Sequence, residues 1–448
     1  MSLYHNNDIE YFRNRCNILE EEIKQVREEN RKLREELALL KETVTALVAR
    51  NIDARPDRHY NTSKRNHGRP GRKMGHEGSG RKKPDHIDAH VLVDRRECAR
   101  CGIRLSRPTG SYERIVEDIV PAKVIVTKYK IVRRYCRNCR MQVAAPVHDA
   151  LPGERFGLRL MVLVVSLKML GLSYRKITDL FKMLFCLDMT ESTVKHAVRK
   201  VACAFGPRYL EMIEELKLEA NIHGDETSWR IDGKNHWLWA FVGRWTVIYE
   251  IDRSRGSAVP QRVLGDYGGN ITSDSWPAWN HVGSTHQRCH YHYFREIDDT
   301  IRYKSPGRQF KRFAKKLRRI LYDSQRAGAI RSRAKRIITR KRFEKRIEKL
   351  ASSRYTERNC IRFVKRLRRE KEMLFTFLEI DGVKCHNNDA ERQIRPSVVI
   401  RKITYGNRSE EGAYAHKVLM SVHQTCNLRG QNFHDYALGY LAEFASKR

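Results

Sequence analysis

The chain has 448 residues, with 89 Lys and Arg against 53 Asp and Glu, so its formal net charge is +36. This length exceeds one ordinary domain and predicts two to four folded units. The charge predicts a polyanionic partner, with nucleic acid first, and it disfavours a membrane surface because no basic amphipathic helix lies beside an anchor.

Two further features bear on location. The apolar run at residues 160–172 is interrupted by Lys168 and is shorter than the roughly 20 residues that cross a bilayer, so a buried helix is predicted and no membrane partner. The first residues lack a basic-then-apolar signal segment. We therefore expect a cytoplasmic protein, bound to DNA, whose 11 cysteines stay reduced.

Residues 1–50 carry apolar side chains in steps of three and four from Cys16 to Leu47. This repeat over more than four heptads predicts a coiled coil about 50 Å long. The polar residue on the seam is Asn30, and Asn at such a position commonly favours a parallel two-stranded coil. We therefore expect a homodimer. The alternative is one amphipathic helix packed on its own protein.

Residues 51–90 are rich in Gly, Pro, Arg and Lys without hydrophobic periodicity, which predicts a flexible basic linker. Its Gly68-Arg69-Pro70 tripeptide suits an extended arm whose Arg69 enters the narrow minor groove of A·T-rich DNA. Because that tripeptide is common, a merely solvated linker is the alternative.

Residues 91–150 contain two Cys-x-x-Cys pairs, separated by a stretch at 123–136 with the β-branched and aromatic content of strands. Four thiolates suit one tetrahedral Zn²⁺ without an open position, so we expect a zinc ribbon with one structural zinc. A set of unrelated cysteines is the alternative. The four expected ligands are Cys98, Cys101, Cys136 and Cys139.

Residues 151–212 show helical patterns at 156–171, 174–185 and 191–205, and Thr190 can cap the last of these helices. The three helices fit a helix-turn-helix unit whose recognition helix lies in the major groove. The alternative is a plain helical subdomain with a basic outer face. The candidate DNA-binding residues are Lys195, Arg199 and Lys200.

Residues 213–300 change to strand-like patterns such as HWLWAFVG, TVIYEID and GNITSDSW. Such strands suit the antiparallel meander and following strand of an RNase H-like α/β domain. In that architecture, an Asp leaving the first strand and another leaving the fourth lie side by side. Asp225 and Asp274 occupy these two places and are the candidate catalytic acids. A third carboxylate must come from a later helix, and residues 377–448 offer Glu391.

Carboxylates at these positions suit phosphodiester chemistry. Two hard cations roughly 4 Å apart can activate the attacking oxygen and stabilise the leaving oxygen. Mg²⁺ prefers oxygen ligands and binds through one or two carboxylates plus substrate phosphate, so we expect two Mg²⁺ ions. Arg392 and Arg395 could grip phosphate through paired hydrogen bonds. By spacing alone, solvated surface acids remain the alternative.

Residues 301–376 separate the second and third carboxylates. Within them, residues 302–372 hold 28 Lys or Arg against 6 Asp or Glu, in helical patterns such as FAKKLRRILYD. We expect a helical insertion laid on DNA. The predicted fold is thus multidomain, combining α+β and α/β parts: coiled coil, zinc ribbon, helix-turn-helix, and an RNase H-like catalytic domain with this insertion.

Five motifs occur in order along the chain: HGDETSWR, the Ser254-Arg255-Gly256 turn, TSDSWPAWN, HQRCHYHYFRE and CHNNDAERQIRP. Together with the linker and the zinc knuckles, they closely resemble the transposases of the insertion-sequence 66 family. The resemblance implies an RNase H-fold core using Asp225, Asp274 and Glu391 with Mg²⁺ or Mn²⁺. The implied substrates are the terminal inverted repeats of a mobile element and then target DNA.

The resemblance also implies a role for a Cys-x-x-His pair, matched here by Cys289 and His292, in supporting the active site or the DNA end. Two different roles remain open for this pair: buried packing plus a helix hydrogen bond, or a second zinc site that includes Cys385 and His386. Similar enzymes often accompany small companion proteins from the same element, which are therefore candidate partners.

Two departures from the family pattern matter. Met74 stands where the family linker usually has Pro, and Asp389 lies close enough to Glu391 to be an alternative third ligand. Two other functions remain open: a non-catalytic regulator with a zinc ribbon and a helix-turn-helix, and a nuclease of the same fold that cuts without joining.

Overall fold

The computed structural model describes residues 28, 86–97, 102–107, 110–111, 113–117 and 123–446. The coiled coil, Arg69, Cys98 and Cys101 lie outside the described residues, so they stay predictions. The chain divides into two units, residues 1–114 and 115–448. In the first unit, Glu97 pairs with Arg104 in an antiparallel bridge.

The second unit begins with a two-stranded hairpin, β1 (Arg133–Cys136) and β2 (Met141–Ala144). Four helices follow. Three lie close to their predicted bounds, α1 (Leu158–Met169), α2 (Tyr174–Phe185) and α3 (Glu191–Ala204), and a further helix, α4 (Gly206–Lys217), was not predicted. The α1 helix is the predicted buried apolar segment. Thr190 caps α3 as predicted, because its hydroxyl accepts the backbone N–H of Thr193 at 3.2 Å.

A five-stranded mixed sheet lies at the centre of this unit. In spatial order its strands are β5 (Val247–Asp252), β4 (Lys234–Val242), β3 (Asn221–Ile231), β6 (Asn270–Ser273) and β7 (Thr285–Arg288). The β3, β4 and β5 strands are antiparallel, whereas β6 and β7 run parallel to β3. Asp232 and Gly233 close the β3–β4 hairpin with φ of +51° and +71°, as a two-residue Asp-Gly turn requires.

The remaining helices follow in two groups. Between and after the last strands lie α5 (Ala258–Leu264), α6 (His290–Tyr303), α7 (Arg308–Ala327), α8 (Arg333–Ser352) and α9 (Arg358–Glu370). The C-terminal group is α10 (Asn388–Thr404), α11 (Glu410–Leu428) and α12 (Phe433–Ser446). Within the described residues the fold is therefore a mixed α/β arrangement of 12 helices and a five-stranded sheet.

Two hydrophobic cores organise these elements. One joins the sheet to α1–α4 and α10–α12, with α10 against β3 and α11 against β5. The other belongs to α6–α9, where Phe310, Leu317, Phe363 and their neighbours are buried together. The basic helices between β7 and α10 thus have a core of their own. No helix in the described ranges is long and apolar enough to cross a membrane.

Candidate active site

The sheet register brings two of the predicted acids side by side. The β6 strand pairs in parallel with β3, with Thr272 opposite His223. Continuing that register by two residues sets Asp274, which directly follows β6, beside Asp225, which lies within β3. Since adjacent strands lie about 4.8 Å apart, the two carboxylates share one edge of the sheet.

Glu391 reaches the same edge from the first turn of α10. The start of this helix is tied to β3 by the buried side chain of Asn387, which donates to the carbonyl of Gly224 at 2.7 Å. Its amide oxygen accepts from His223 Nδ1 at 3.2 Å. These bonds fix the N-terminus of α10 next to the residue that precedes Asp225.

The electrostatics of the site reflect crowding of like charges. Burial and the neighbouring carboxylates of Glu226, Asp274 and Glu391 raise the pKa of Asp225 well above its usual value. A cation bound between the carboxylates would relieve this repulsion and stabilise their ionised form.

Glu226 is a buried acid that the sequence patterns did not indicate. Its side chain is 1% exposed and accepts two hydrogen bonds from the guanidinium of Arg255, at 2.8 and 3.1 Å. Trp279 Nε1 donates to its second oxygen at 3.0 Å. The guanidinium lies over the rings of Trp237 and Trp276, at 4.3 and 3.7 Å from their centroids. Arg255 lies in one of the family motifs, but its partner could not be deduced from that motif.

The loop that carries Asp274 is held from both sides. The backbone N–H of Trp276 donates to the carboxylate of Asp274 at 2.8 Å. The buried guanidinium of Arg288 donates to the carbonyl of Asp274 at 2.8 Å and to Ser273 Oγ at 2.6 Å, and it also bonds Asn280. One signal in the sequence could have indicated Arg288, because it directly precedes Cys289 within a family motif.

The helical insertion also reaches this loop. Arg366 on α9 donates to Ser275 Oγ and, through Nε, to the carboxylate of Glu370 at 3.1 Å. Glu370 is 2% exposed and accepts from Ser275 Oγ at 2.8 Å and from Tyr293 at 2.7 Å. Despite its burial, the pKa of Glu370 is lowered by Arg366 and these hydrogen bonds. The residue after Asp274 is therefore anchored by two insertion side chains.

We expect Arg366→Met to destabilise the protein by about 3 to 5 kcal/mol, because it leaves the buried carboxylate of Glu370 without its main partner. The double substitution Arg366→Met with Glu370→Gln should recover part of this loss. Arg369→Met is the matched control: Arg369 also pairs with Glu370 but is 58% exposed, so less than about 1 kcal/mol is expected. Urea unfolding measures all three, and equal losses for Arg366 and Arg369 would contradict the assignment.

Cys289 and His292 have different surroundings. The buried Sγ of Cys289 accepts the backbone N–H of Asn387 at 3.2 Å, and burial raises the pKa of its thiol. His292 Nε2 lies 3.8 Å from Glu391 Oε1. Its Nδ1 is buried without a hydrogen-bond partner in the described part of the chain. Burial lowers the pKa of His292, whereas the negative charges of Asp274 and Glu391 act to raise it. Cys289 thus fits a packing role, whereas His292 faces an acid of the site.

The residues near Glu391 include the second candidate for the third ligand, Asp389. Asp389 forms an ion pair with Lys384 at 2.7 Å and lies 3.5 Å from His223 Nε2, whereas Glu391 is among the charges that raise the pKa of Asp225. These contacts favour Glu391 as the third acid.

Cys385 and His386 were the candidate ligands of a second zinc site. The ring of His386 stacks on Tyr291. Burial raises the pKa of the Cys385 thiol to about 11, which disfavours the thiolate that zinc requires. No group of three or more metal-ligating side chains includes these two within the described ranges.

The donor set of the three acids bears on the kind of cation that it could hold. Within the described ranges, no three His, Cys, Asp or Glu side chains converge on a point where they could hold one ion. Mg²⁺ does not require such a cage, because it retains waters and uses substrate phosphate as ligand. Oxygen-only donors and the raised pKa of Asp225 fit a hard cation that binds together with DNA.

The predicted DNA-binding cations differ in availability. Lys195 and Arg199 on α3 are exposed, as are Arg392 and Arg395 on α10. Lys200 instead pairs with the largely buried carboxylate of Glu154 at 3.0 Å, which His196 also contacts at 3.0 Å. Lys200 therefore neutralises an internal acid and is a poorer candidate for phosphate contact.

Two of the predicted zinc ligands lie in the described hairpin. The backbone N–H of Cys139 donates to Cys136 Sγ at 3.5 Å, and backbone hydrogen bonds from Cys139 and Asn138 lower the pKa of Cys136. Arg140, the next residue, has φ of +50°. A thiol whose pKa is lowered in this way is suited to metal binding as thiolate.

A mixed α/β fold that gathers carboxylates at one sheet edge, within a strongly cationic chain, is typical of enzymes that process nucleic acid. The model of the Transposase IS66 family matches residues 153–415, more than half of the chain, and the protein belongs to this family. A separate comparison finds 31% identity over 94 residues with the uncharacterized protein y4jO of Sinorhizobium fredii (strain NBRC 101917 / NGR234). That match covers 21% of this chain and 29% of the relative.

Proposed function

We propose that the protein is a DDE transposase that binds the terminal inverted repeats of an insertion sequence, cleaves the DNA ends and joins them to target DNA. The observation that carries this proposal is the proximity of Asp274 and of Glu391 to Asp225, because the charges of both raise the pKa of Asp225. Family membership supports the same reaction.

The sheet topology supports an RNase H-like catalytic core. Three antiparallel strands followed by two strands parallel to the first, in the order β5-β4-β3-β6-β7, fit the meander and following strand expected for such a core. The acids would come from β3, the end of β6 and the start of α10. Helices α7–α9 would then be the insertion between the second and third acid.

In the proposed mechanism, Asp225, Asp274 and Glu391 would hold the metal. Bound Mg²⁺ or Mn²⁺, as two ions, would activate the attacking oxygen and stabilise the leaving oxyanion. The protein side chains orient these groups: Arg288 and Trp276 fix the loop of Asp274, and His292 borders Glu391. The exposed Arg392 and Arg395 lie on the same helix as Glu391 and would neutralise DNA phosphates there.

The direct test incubates the protein with labelled element ends, Mg²⁺ and a target plasmid, beside Asp225→Ala, Asp274→Ala and Glu391→Ala. Cleavage and joining by the native protein, lost in all three variants, is the expected result. Nicking that survives all three changes would overturn the site assignment. Cutting without joined products would favour a nuclease, and binding without cutting would favour a regulator.

DNA affinity should depend strongly on salt. The insertion helices present exposed cations along α7, including Lys311, Arg312, Lys315, Lys316 and Arg319. If roughly 6 to 10 cations of the protein neutralise phosphates, affinity falls about 10³- to 10⁵-fold between 50 and 200 mM salt. Fluorescence anisotropy with a labelled duplex measures this slope, and a flat response would contradict binding along the phosphate backbone.

The other parts of the proposal concern assembly. We propose that Cys98, Cys101, Cys136 and Cys139 bind one structural Zn²⁺, that residues 1–50 form a homodimeric coiled coil, and that companion proteins of the same element are candidate partners. Zinc analysis of the purified protein and of a Cys136→Ser variant tests the first part. Cross-linking tests the second, and recovery of monomer alone would exclude the dimer. We expect the protein to act on DNA in the cytoplasm.

A further inference from the structure

Four aromatic rings form a continuous row from the start of α10 to the insertion. The ring of His386 stacks on Tyr291, with centroids 5.4 Å apart and planes 7° apart. Tyr291 contacts Phe294 at 6.1 Å, and Phe294 stacks on Tyr322 of α7 at 4.6 Å and 16°. The row thus links three segments that are distant in the sequence.

Packing against the second core accounts for only one ring of this row. Phe294 is partly buried against that core, whereas Tyr291 and Tyr322 are 41% and 51% exposed. Rings that served only to fill the core would be covered more completely. The row therefore presents aromatic surface to the solvent from two helices at once.

Exposed cations flank this surface. Arg295 lies four residues after Tyr291 on α6, and Arg326 lies four residues after Tyr322 on α7. Residues four apart on a helix are neighbours on one face, so each of these arginines lies on the same helix face as its exposed ring. At the other end, Lys384 is exposed two residues before His386, but it already pairs with Asp389 and is a poorer candidate for phosphate contact.

The row begins next to the catalytic acids. His386 precedes α10, and its Nδ1 accepts the backbone N–H of Asn388 at 3.4 Å, within the turn that leads to Glu391. Tyr291 is followed directly by His292, whose Nε2 is 3.8 Å from Glu391. A strand lying along the row would therefore end at the proposed cleavage site.

We propose that this aromatic row binds an unpaired DNA strand and leads it to the catalytic carboxylates. Aromatic rings interleaved with cations bind single strands, because bases stack on the rings while the cations follow the phosphates. A duplex hides its base faces in its own stack and cannot use the rings. The inference deepens the proposed transposase function and rests on it for the identity of the strand.

The test measures anisotropy of a labelled oligothymidine of about 16 nucleotides, a length within the range of known single-strand sites. The full-length protein is used, with EDTA so that no cleavage occurs. The same oligonucleotide annealed to oligodeoxyadenosine is the duplex arm. The variants are Tyr291→Ala, Tyr322→Ala, and Phe at both positions, which keeps the rings. Tyr303→Ala is the matched control, because Tyr303 lies on the same helix as Tyr291, is 67% exposed and is outside the row.

Each alanine variant should weaken single-strand binding about 5-fold or more, with duplex binding unchanged and the Phe variants close to the native protein. Unchanged single-strand binding, equal weakening of both arms, or an equal loss in Tyr303→Ala would overturn the proposal. If an alanine variant does not fold, loss of binding in the folded Phe variants would equally contradict stacking. Because EDTA prevents cleavage, the binding experiment does not depend on the catalytic carboxylates. A negative binding result would therefore leave the carboxylate assignment intact. Conversely, nicking by the variants of the three acids would not change the binding result.

Discussion

Glu391→Gln is expected to lower the rate of DNA strand cleavage about 10³-fold or more, while Asp389→Asn keeps most of the activity. Glu391 would ligate the metal, and a metal ion supplies several kcal/mol of transition-state stabilisation. Asp389 is instead held by an ion pair with Lys384 and lies 3.5 Å from the His223 ring. Each substitution removes one negative charge, and the two positions are only two residues apart. A purely electrostatic effect would therefore change the cleavage rate of both variants alike.

The measurement is single-turnover nicking of a labelled element end in Mg²⁺, with DNA binding followed separately. Binding should be retained in both variants, because the loss is in the chemical step. If Asp389→Asn were the inactive variant, the third ligand would be Asp389. If both variants cleaved normally, the metal site would lie elsewhere.

Part of this site could be predicted because it follows from strand order. Asp274 leaves β6 as predicted, whereas Asp225 lies within β3, which continues to Ile231. The two residues are still paired because β3 and β6 are parallel neighbours, an arrangement that the strand patterns predicted. Glu391 follows a helical insertion with its own core, and no local periodicity spans that distance. Its assignment therefore depended on family resemblance.

Helix limits were predictable for a similar reason. Ser173 and Thr190 accept backbone N–H groups at the starts of α2 and α3, and such caps are visible in the sequence. Side-chain partners that come from distant parts of the chain could not be predicted. Lys200 was expected to face DNA, but Glu154, which lies before α1, takes it as an ion-pair partner. The contacts of Arg366 and Asn387 likewise exist only after distant elements pack.

Asn387→Ala is expected to lower the free energy of unfolding by about 1 to 3 kcal/mol and to slow cleavage about 10²-fold. The substitution leaves the buried carbonyl of Gly224 without its donor and removes the acceptor of His223 Nδ1. Burial lowers the pKa of His223 to about 4, so its ring is neutral at pH 7 and depends on such a partner. The same bonds align the start of α10, and with it Glu391, against β3.

Urea unfolding and single-turnover cleavage, both at a temperature where the variant is fully folded, separate the two effects. Asn388→Ala, at the half-buried neighbouring position, is the matched control and should cleave at close to the native rate. Displacement of a ligand by about 1 Å is enough to cost two orders of magnitude, because the reacting atoms must meet within a narrow geometry. A destabilised Asn387→Ala that cleaved at the native rate would show that Asn387 holds the fold and that other contacts align Glu391.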